Sequence, residues 1–201
     1  MNRKGFTLVE MAIVLVIIGI ILGMVMKGKE LIQGAKVKNF VTDVRSLENM
    51  QFTFYERFNR FAGDCDNDGL VDETGQNNGI GTINNTPAGL CADTNTSNDP
   101  DQAFSELEAA GILPTQANDQ HAQFSDGLGF AYYAEYGGLN VIVVRGVPCY
   151  AAQTLDSVID KAIDGTDGRV REEDDQTWTA GGCADINADT VDLAYYFDRA
   201  P

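Results

Sequence analysis

Five acidic side chains crowd into ten positions of this sequence, in Asp64-Cys65-Asp66-Asn67-Asp68-Gly69-Leu70-Val71-Asp72-Glu73. Carboxylates at alternate positions followed by glycine have the spacing with which a loop curls around a hard cation, the glycine taking the sharp turn. Asp64, Asp66, Asp68 and Asp72 would supply side-chain oxygens and Leu70 its carbonyl, and the expected ion is calcium. Without a counterion these carboxylates repel one another, which favours the cation over the plain alternative of a solvated acidic turn.

The spacing departs from an EF-hand where that loop has its bidentate glutamate. Gly75 stands there, and Glu73 comes two positions early. A second oxygen-rich set, Asp93, Asn95, Ser97, Asp99 and Asp101, is explained by turn chemistry alone. The four cysteines, Cys65, Cys91, Cys149 and Cys183, allow three pairings. Joining nearest neighbours would close loops of some tens of residues, each worth on the order of 3 to 4 kcal/mol in the chain-entropy model. Zinc is the rival use of these thiols, but no C-x-x-C is present and the single histidine is His121. Disulfides imply an oxidising compartment. No G-x-S-x-G, P-loop or G-x-G-x-x-G after a strand accompanies His121, so no nucleophile, base or phosphate cradle assembles, and an enzyme is not expected.

The elements that carry these residues begin with an apolar run. From Phe6 to Met26 the only charge is Glu10, and 21 residues of helix measure roughly 31 Å, about the thickness of a bilayer's hydrocarbon core. A secretory signal would be shorter and would end in a small-x-small cleavage site, which is missing here. An ionised carboxylate inside a membrane helix costs on the order of 2.5 to 3.5 kcal/mol, less near the interface. Either Glu10 stays wet at the headgroups or a cation meets it. Cleavage between Gly5 and Phe6 would create such a cation, an amine about one helical turn away that a neighbouring copy could also present.

Lys4-Gly5-Phe6-Thr7-Leu8-Val9-Glu10 followed by an aliphatic run resembles the type III signal of type IV prepilins and type II secretion pseudopilins. Phe54-Tyr55-Glu56-Arg57-Phe58-Asn59 leading to Ala62-Gly63-Asp64 is similar, more weakly, to the helix exit of many prepilins. The resemblance implies that a membrane peptidase cuts after Gly5 and methylates Phe6, and that Glu10 is the assembly glutamate. It implies an α+β, type IV pilin-like fold: a long N-terminal α-helix, membrane-spanning in its first half, packed on a small antiparallel-sheet globular head. It also makes Cys149 to Cys183 a clamp on the C-terminal region, as in many pilins. Asp185, Asn187, Asp189 and Asp192 become candidate calcium oxygens, since pseudopilins place calcium in a C-terminal loop.

The resulting division is a leader at 1–5, an apolar helix at 6–27, its amphipathic continuation at 28–60 and an acidic head at 61–201. Apolar residues from Leu31 to Phe58, among them Ile32, Phe40, Val44, Leu47, Phe54 and Tyr55, recur at spacings of three and four. A helix from Phe6 to about Arg60 would be roughly 80 Å long. Gly19, Gly23, Gly28 and Gly34 lower its helix propensity, either for close packing in the membrane or, as the resemblance implies, for unwinding on assembly. Further on, a short helix starts at Asp99-Pro100. Gly127 to Tyr136 and Leu139 to Arg145 flank Gly137-Gly138 as a hairpin. A helix is expected from Pro148 through Ile163, a short strand around Val170 and a closing strand from Val191 to Phe197, with Trp178, Tyr195, Tyr196 and Phe197 in the core.

Charge separates the two parts of the chain. Residues 1–60 carry nine Lys/Arg against five Asp/Glu, net +4, and residues 61–201 carry five against 25, net -20. Such a head repels phosphate backbones, so nucleic acid is not an expected partner of the isolated head. Arg3 and Lys4 argue for a cytoplasmic N-terminus, a vote that Lys27 and Lys29 weaken, with the head in the periplasm and later on the cell surface. The expected function is a pilin that polymerises through its N-terminal helix, with its own copies, the prepilin peptidase, the assembly platform and the inner membrane as partners. A type II secretion pseudopilin is the near alternative. A membrane-tethered calcium-binding or adhesive module is the alternative of another class, and it leaves Glu10 and the Gly5-Phe6 junction unexplained.

Overall fold

The computed structural model describes residues 8–64, 68–71, 101–114, 124, 127–173, 178–183 and 190–198. Helix α1, Leu8–Phe58, is continuous over 51 residues. The chain divides into two compact units, 1–38 and 39–201. In the first unit every large apolar side chain from Leu8 to Met26 is exposed, between 47% and 87%, and this stretch is long and apolar enough to cross a membrane. Leu31 and Ile32, which share the period of the amphipathic stripe, are exposed as well, at 74% and 60%.

In the second unit α1 supplies a buried stripe. Phe40, Val44, Leu47, Gln51 and Phe54 are all at or below 9% exposure. Their alternating spacing of four and three puts them on one helical face. Tyr55 and Phe58 lie outside it, at 41% and 39%. This stripe packs on a four-stranded antiparallel sheet with strand order β1-β2-β6-β3. The strands are β1 at Phe130–Tyr136, β2 at Leu139–Pro148, β3 at Val170–Glu172 and β6 at Thr190–Tyr196. Tyr133 faces Ile142, which faces Tyr195, which faces Val170, so these four share one face of the sheet. The Tyr133 hydroxyl donates to the Leu47 carbonyl at 2.9 Å, which fixes that face toward α1.

The β1–β2 turn falls on Gly137-Gly138, both at positive φ, the conformation that the tightest hairpin requires and that glycine adopts without strain. Helix α2, Asp101–Ala109, sets Phe104 against Tyr133, ring centroids 5.1 Å apart. Helix α3, Cys149–Ile159, stops four residues short of the expected end. Side chains override the apolar period there: Asp156 accepts the Asp164 amide, and Asp160 accepts those of Arg169 and Val170, folding the chain back. A small hairpin of β4 at Trp178–Thr179 and β5 at Gly182–Cys183 was not foreseen from sequence. Trp178, Tyr195 and Phe197 are buried core residues, while Tyr196 is only half-buried because strand alternation turns it to the other face.

Candidate functional site

Two regions hold the residues that the sequence singled out, the start of α1 and the loop that leaves its far end. Glu10 lies in the first turn of α1, exposed, at the head of the apolar surface just described. A carboxylate there suits the positive end of the helix dipole. Gly5 and Phe6 lie outside the described residues.

At the other end of α1 the chain exits through a set of buried polar contacts. Gln51 is fully buried and makes a reciprocal pair with Ala62, donating to its carbonyl at 3.1 Å and accepting its N–H at 2.9 Å. Arg60 forms a two-pronged ion pair with Glu106 of α2, at 2.8 and 2.7 Å. Glu106 is 2% exposed and also accepts the Gly63 N–H at 2.7 Å. Gly63 has φ +91, and a Cβ added to it would come within 2.9 Å of Val71 Cγ1. Only glycine satisfies both conditions.

Asp64 is fully buried, and its carboxylate accepts the N–H groups of Asp68 at 3.2 Å and Gly69 at 3.1 Å. Asp68 in turn accepts the Leu70 N–H at 2.8 Å. Asn140 of β2 ties this loop to the sheet: its side chain accepts the Val71 N–H at 2.7 Å and donates to the Gly69 carbonyl and to Asp198, both at 2.9 Å. Asp66 and Asp72 lie outside the described residues. Among the described residues no three His, Cys, Asp or Glu come together as a metal-binding group. Of the C-terminal oxygen set, Asp185, Asn187 and Asp189 lie outside the described residues, and Asp192 accepts the Gly146 N–H at 2.7 Å.

Cys149 and Cys183 form a disulfide that joins the start of α3 to β5, Cα atoms 6.0 Å apart. Cys65, Cys91 and His121 lie outside the described residues. On α3, Asp156 is fully buried and accepts from Trp178 Nε1 and the Asp164 N–H, both at 2.8 Å, through one carboxylate oxygen. Burial pushes the Asp156 carboxyl above its ordinary value, against those two hydrogen bonds. Tyr136 donates to Glu173, which also pairs with Arg145 at 2.8 Å. Burial and then that hydrogen bond push the Tyr136 hydroxyl upward, so it remains a donor.

Glu106, Asn140 and Asp156 were missed by sequence reasoning. The one available signal was Asn140, an amide set into the β-branched run Leu139 to Val144. What the described geometry can do chemically is hold a loop and present an apolar helix.

Residues 1–26 match the family described as the prokaryotic N-terminal methylation motif. This is the prepilin signal of type IV pilins and pseudopilins, and the α+β architecture of a long N-terminal helix with a small antiparallel sheet agrees with the pilin fold. The motif implies processing by a prepilin peptidase, and with the exposed apolar helix it fits an inner-membrane anchor. No curated protein and no solved structure matches the chain.

Proposed function

We propose that the chain is a structural subunit that polymerises through its N-terminal helix into a type IV pilus-like filament. One observation carries the reading: the methylation motif at 1–26 runs directly into a helix whose apolar side chains are all exposed through Met26. That surface has two stable environments, lipid before assembly and copies of the same helix after it. Cleavage after Gly5 exposes the amine of Phe6, and Glu10 meets the amine of an adjacent subunit. In low dielectric the pair sets axial register more than it adds stability, because desolvation offsets most of the attraction. The head faces the periplasm and then the cell surface.

The loop from Asp64 to Asp72 is the seat we assign to calcium, with Asp64, Asp66, Asp68 and Asp72 as carboxylate donors and Leu70 through its carbonyl. Its support is that Asp64 accepts the N–H groups of Asp68 and Gly69, and that Asn140 anchors Gly69 and Val71.

The test is electron microscopy of sheared surface material from cells expressing the tagged chain, with mass spectrometry of its N-terminus. Fibres containing a chain that begins at methylated Phe6 are expected. Glu10→Ala should give a processed, membrane-resident protein with few fibres. A chain still beginning at Met1 and absent from fibres would favour the tethered module instead.

A further inference from the structure

Between the C-terminal half of α1 and the ends of α3, β3 and β6 lies an open cleft of about 320 Å³, lined by Arg45, Glu48, Asn49, Ile159, Arg169 and Tyr195. Its lining is polar except for Ile159, and it carries two guanidiniums against one carboxylate. That sign is unusual for this part of the molecule, since residues 39–201 hold eight Lys/Arg against 28 Asp/Glu, net -20.

The two arginines differ in how they are held. Arg169 donates to the carbonyls of Tyr196 at 2.7 Å and Phe197 at 2.5 Å, and its guanidinium lies 5.1 Å from the Tyr195 ring centroid. Glu48 reaches it only at 3.5 Å. Arg45 is exposed. Arg60, Arg145, Arg169 and Arg171 each have a carboxylate within 4.0 Å, whereas among the described residues Arg45 has none. Burial, followed by the hydrogen bond and charge of Glu48, pushes the Tyr195 hydroxyl upward, so it stays protonated as a further polar group in the cleft.

We infer that this cleft is the seat for an acidic side chain of a second copy of the chain. The inference rests on the filament reading. Heads of net -20 repel one another wherever acid meets acid, and a cationic cleft is where a neighbour's carboxylate gains instead. A planar guanidinium fork fits a carboxylate in two-pronged fashion. The cleft is concave and cationic while its counterpart is an acidic projection, so the contact is head-to-tail. Such contacts propagate instead of closing on themselves, which is the geometry that a filament needs.

The test places a photo-crosslinking amino acid at Asn49 in the full-length chain, in cells where the unmodified chain is scored for fibres in parallel. In the fibre fraction a cross-linked dimer of the chain is expected. Arg45→Glu should abolish the cross-link and lower the fibre yield about tenfold or more, because like charges then face each other, while Arg45→Lys, which keeps the charge and loses the two-pronged fork, should still give the cross-link but fewer fibres than the parent. Trp178 fluorescence of the variants verifies an intact head. Normal fibres from Arg45→Glu, or no Asn49 dimer in fibres of the parent chain, would overturn the cleft proposal and leave the filament reading standing. Absence of the unmodified chain from any fibre would remove both. Inorganic phosphate supplies the last arm: Arg45-dependent binding by the detergent-solubilised chain, without a dimer cross-link, would make this a free-anion site and overturn the second copy as occupant.

Discussion

Glu106→Gln is the substitution whose consequence the structure defines most closely. Glu106 is 2% exposed and accepts hydrogen bonds from the Arg60 guanidinium at 2.8 and 2.7 Å and from the Gly63 N–H at 2.7 Å. Glutamine keeps one oxygen and turns an NH2 group toward donors, so at least one of the three contacts becomes donor against donor. It also takes away the Glu106 charge from beside the Arg60 guanidinium, itself only 14% exposed. Removing one partner of a buried pair costs about 3 to 5 kcal/mol. With a urea slope of roughly 2 kcal/mol per molar, the unfolding midpoint should fall by about 1.5 to 2.5 M. The lone tryptophan, Trp178, is fully buried in the head and reports the transition by its fluorescence in the full-length, detergent-solubilised chain. The double variant Arg60→Met with Glu106→Met serves as the control, because two apolar groups leave no unpaired charge and should recover much of the loss. A Glu106→Gln midpoint within about 0.5 M of the parent, equivalent to roughly 1 kcal/mol, would refute the claim that this pair fastens the helix exit.

Three further predictions use the same readout. Asp156 has a carboxyl pushed above its ordinary 3.8 by burial, so between that value and its raised one the folded state binds more protons than the unfolded state, and stability falls as pH rises through the window. Asp156→Asn should therefore flatten the pH dependence of the midpoint above about pH 4, and an unchanged slope would count against it. Opening the Cys149–Cys183 bond, by reduction or by Cys149→Ser, should cost about 3 to 4 kcal/mol for a loop of this size, measured against the 34-residue separation; a midpoint indifferent to reductant would contradict that assignment. Calcium at about 100 times its dissociation constant should add roughly 2.7 kcal/mol, and Asp68→Asn should reduce the gain. Equal midpoints in calcium and in chelator would remove the ion from the Asp64 to Asp72 loop.

What the sequence by itself determined is everything that rests on local pattern. The methylation motif is a linear signal, and the apolar run after it is long enough to be recognised by length alone. The period of Phe40, Val44, Leu47 and Phe54 marked the buried stripe, and Gly137-Gly138 marked the hairpin, because helix and turn geometry repeat within a few residues. The same periodicity misled at Leu31 and Ile32, which continue the stripe but are exposed. It misled again in α3, where Asp156 and Asp160 turn the chain back. The tertiary structure alone decided which polar groups go inside. Glu106 meets Arg60 across 46 positions and Asn140 meets Val71 across 69. A carboxylate or amide destined for burial has the same local signature as one left in water, since its stability depends on a partner that only the folded chain delivers. The Cys149–Cys183 bond, by contrast, is the pair that the prepilin resemblance implied, although four cysteines by themselves allow three pairings. The tertiary structure alone also decided the cleft at Arg45 and Arg169, where two like charges distant in sequence line one cleft because α1 packs on the sheet whose edge strand, β3, follows Arg169.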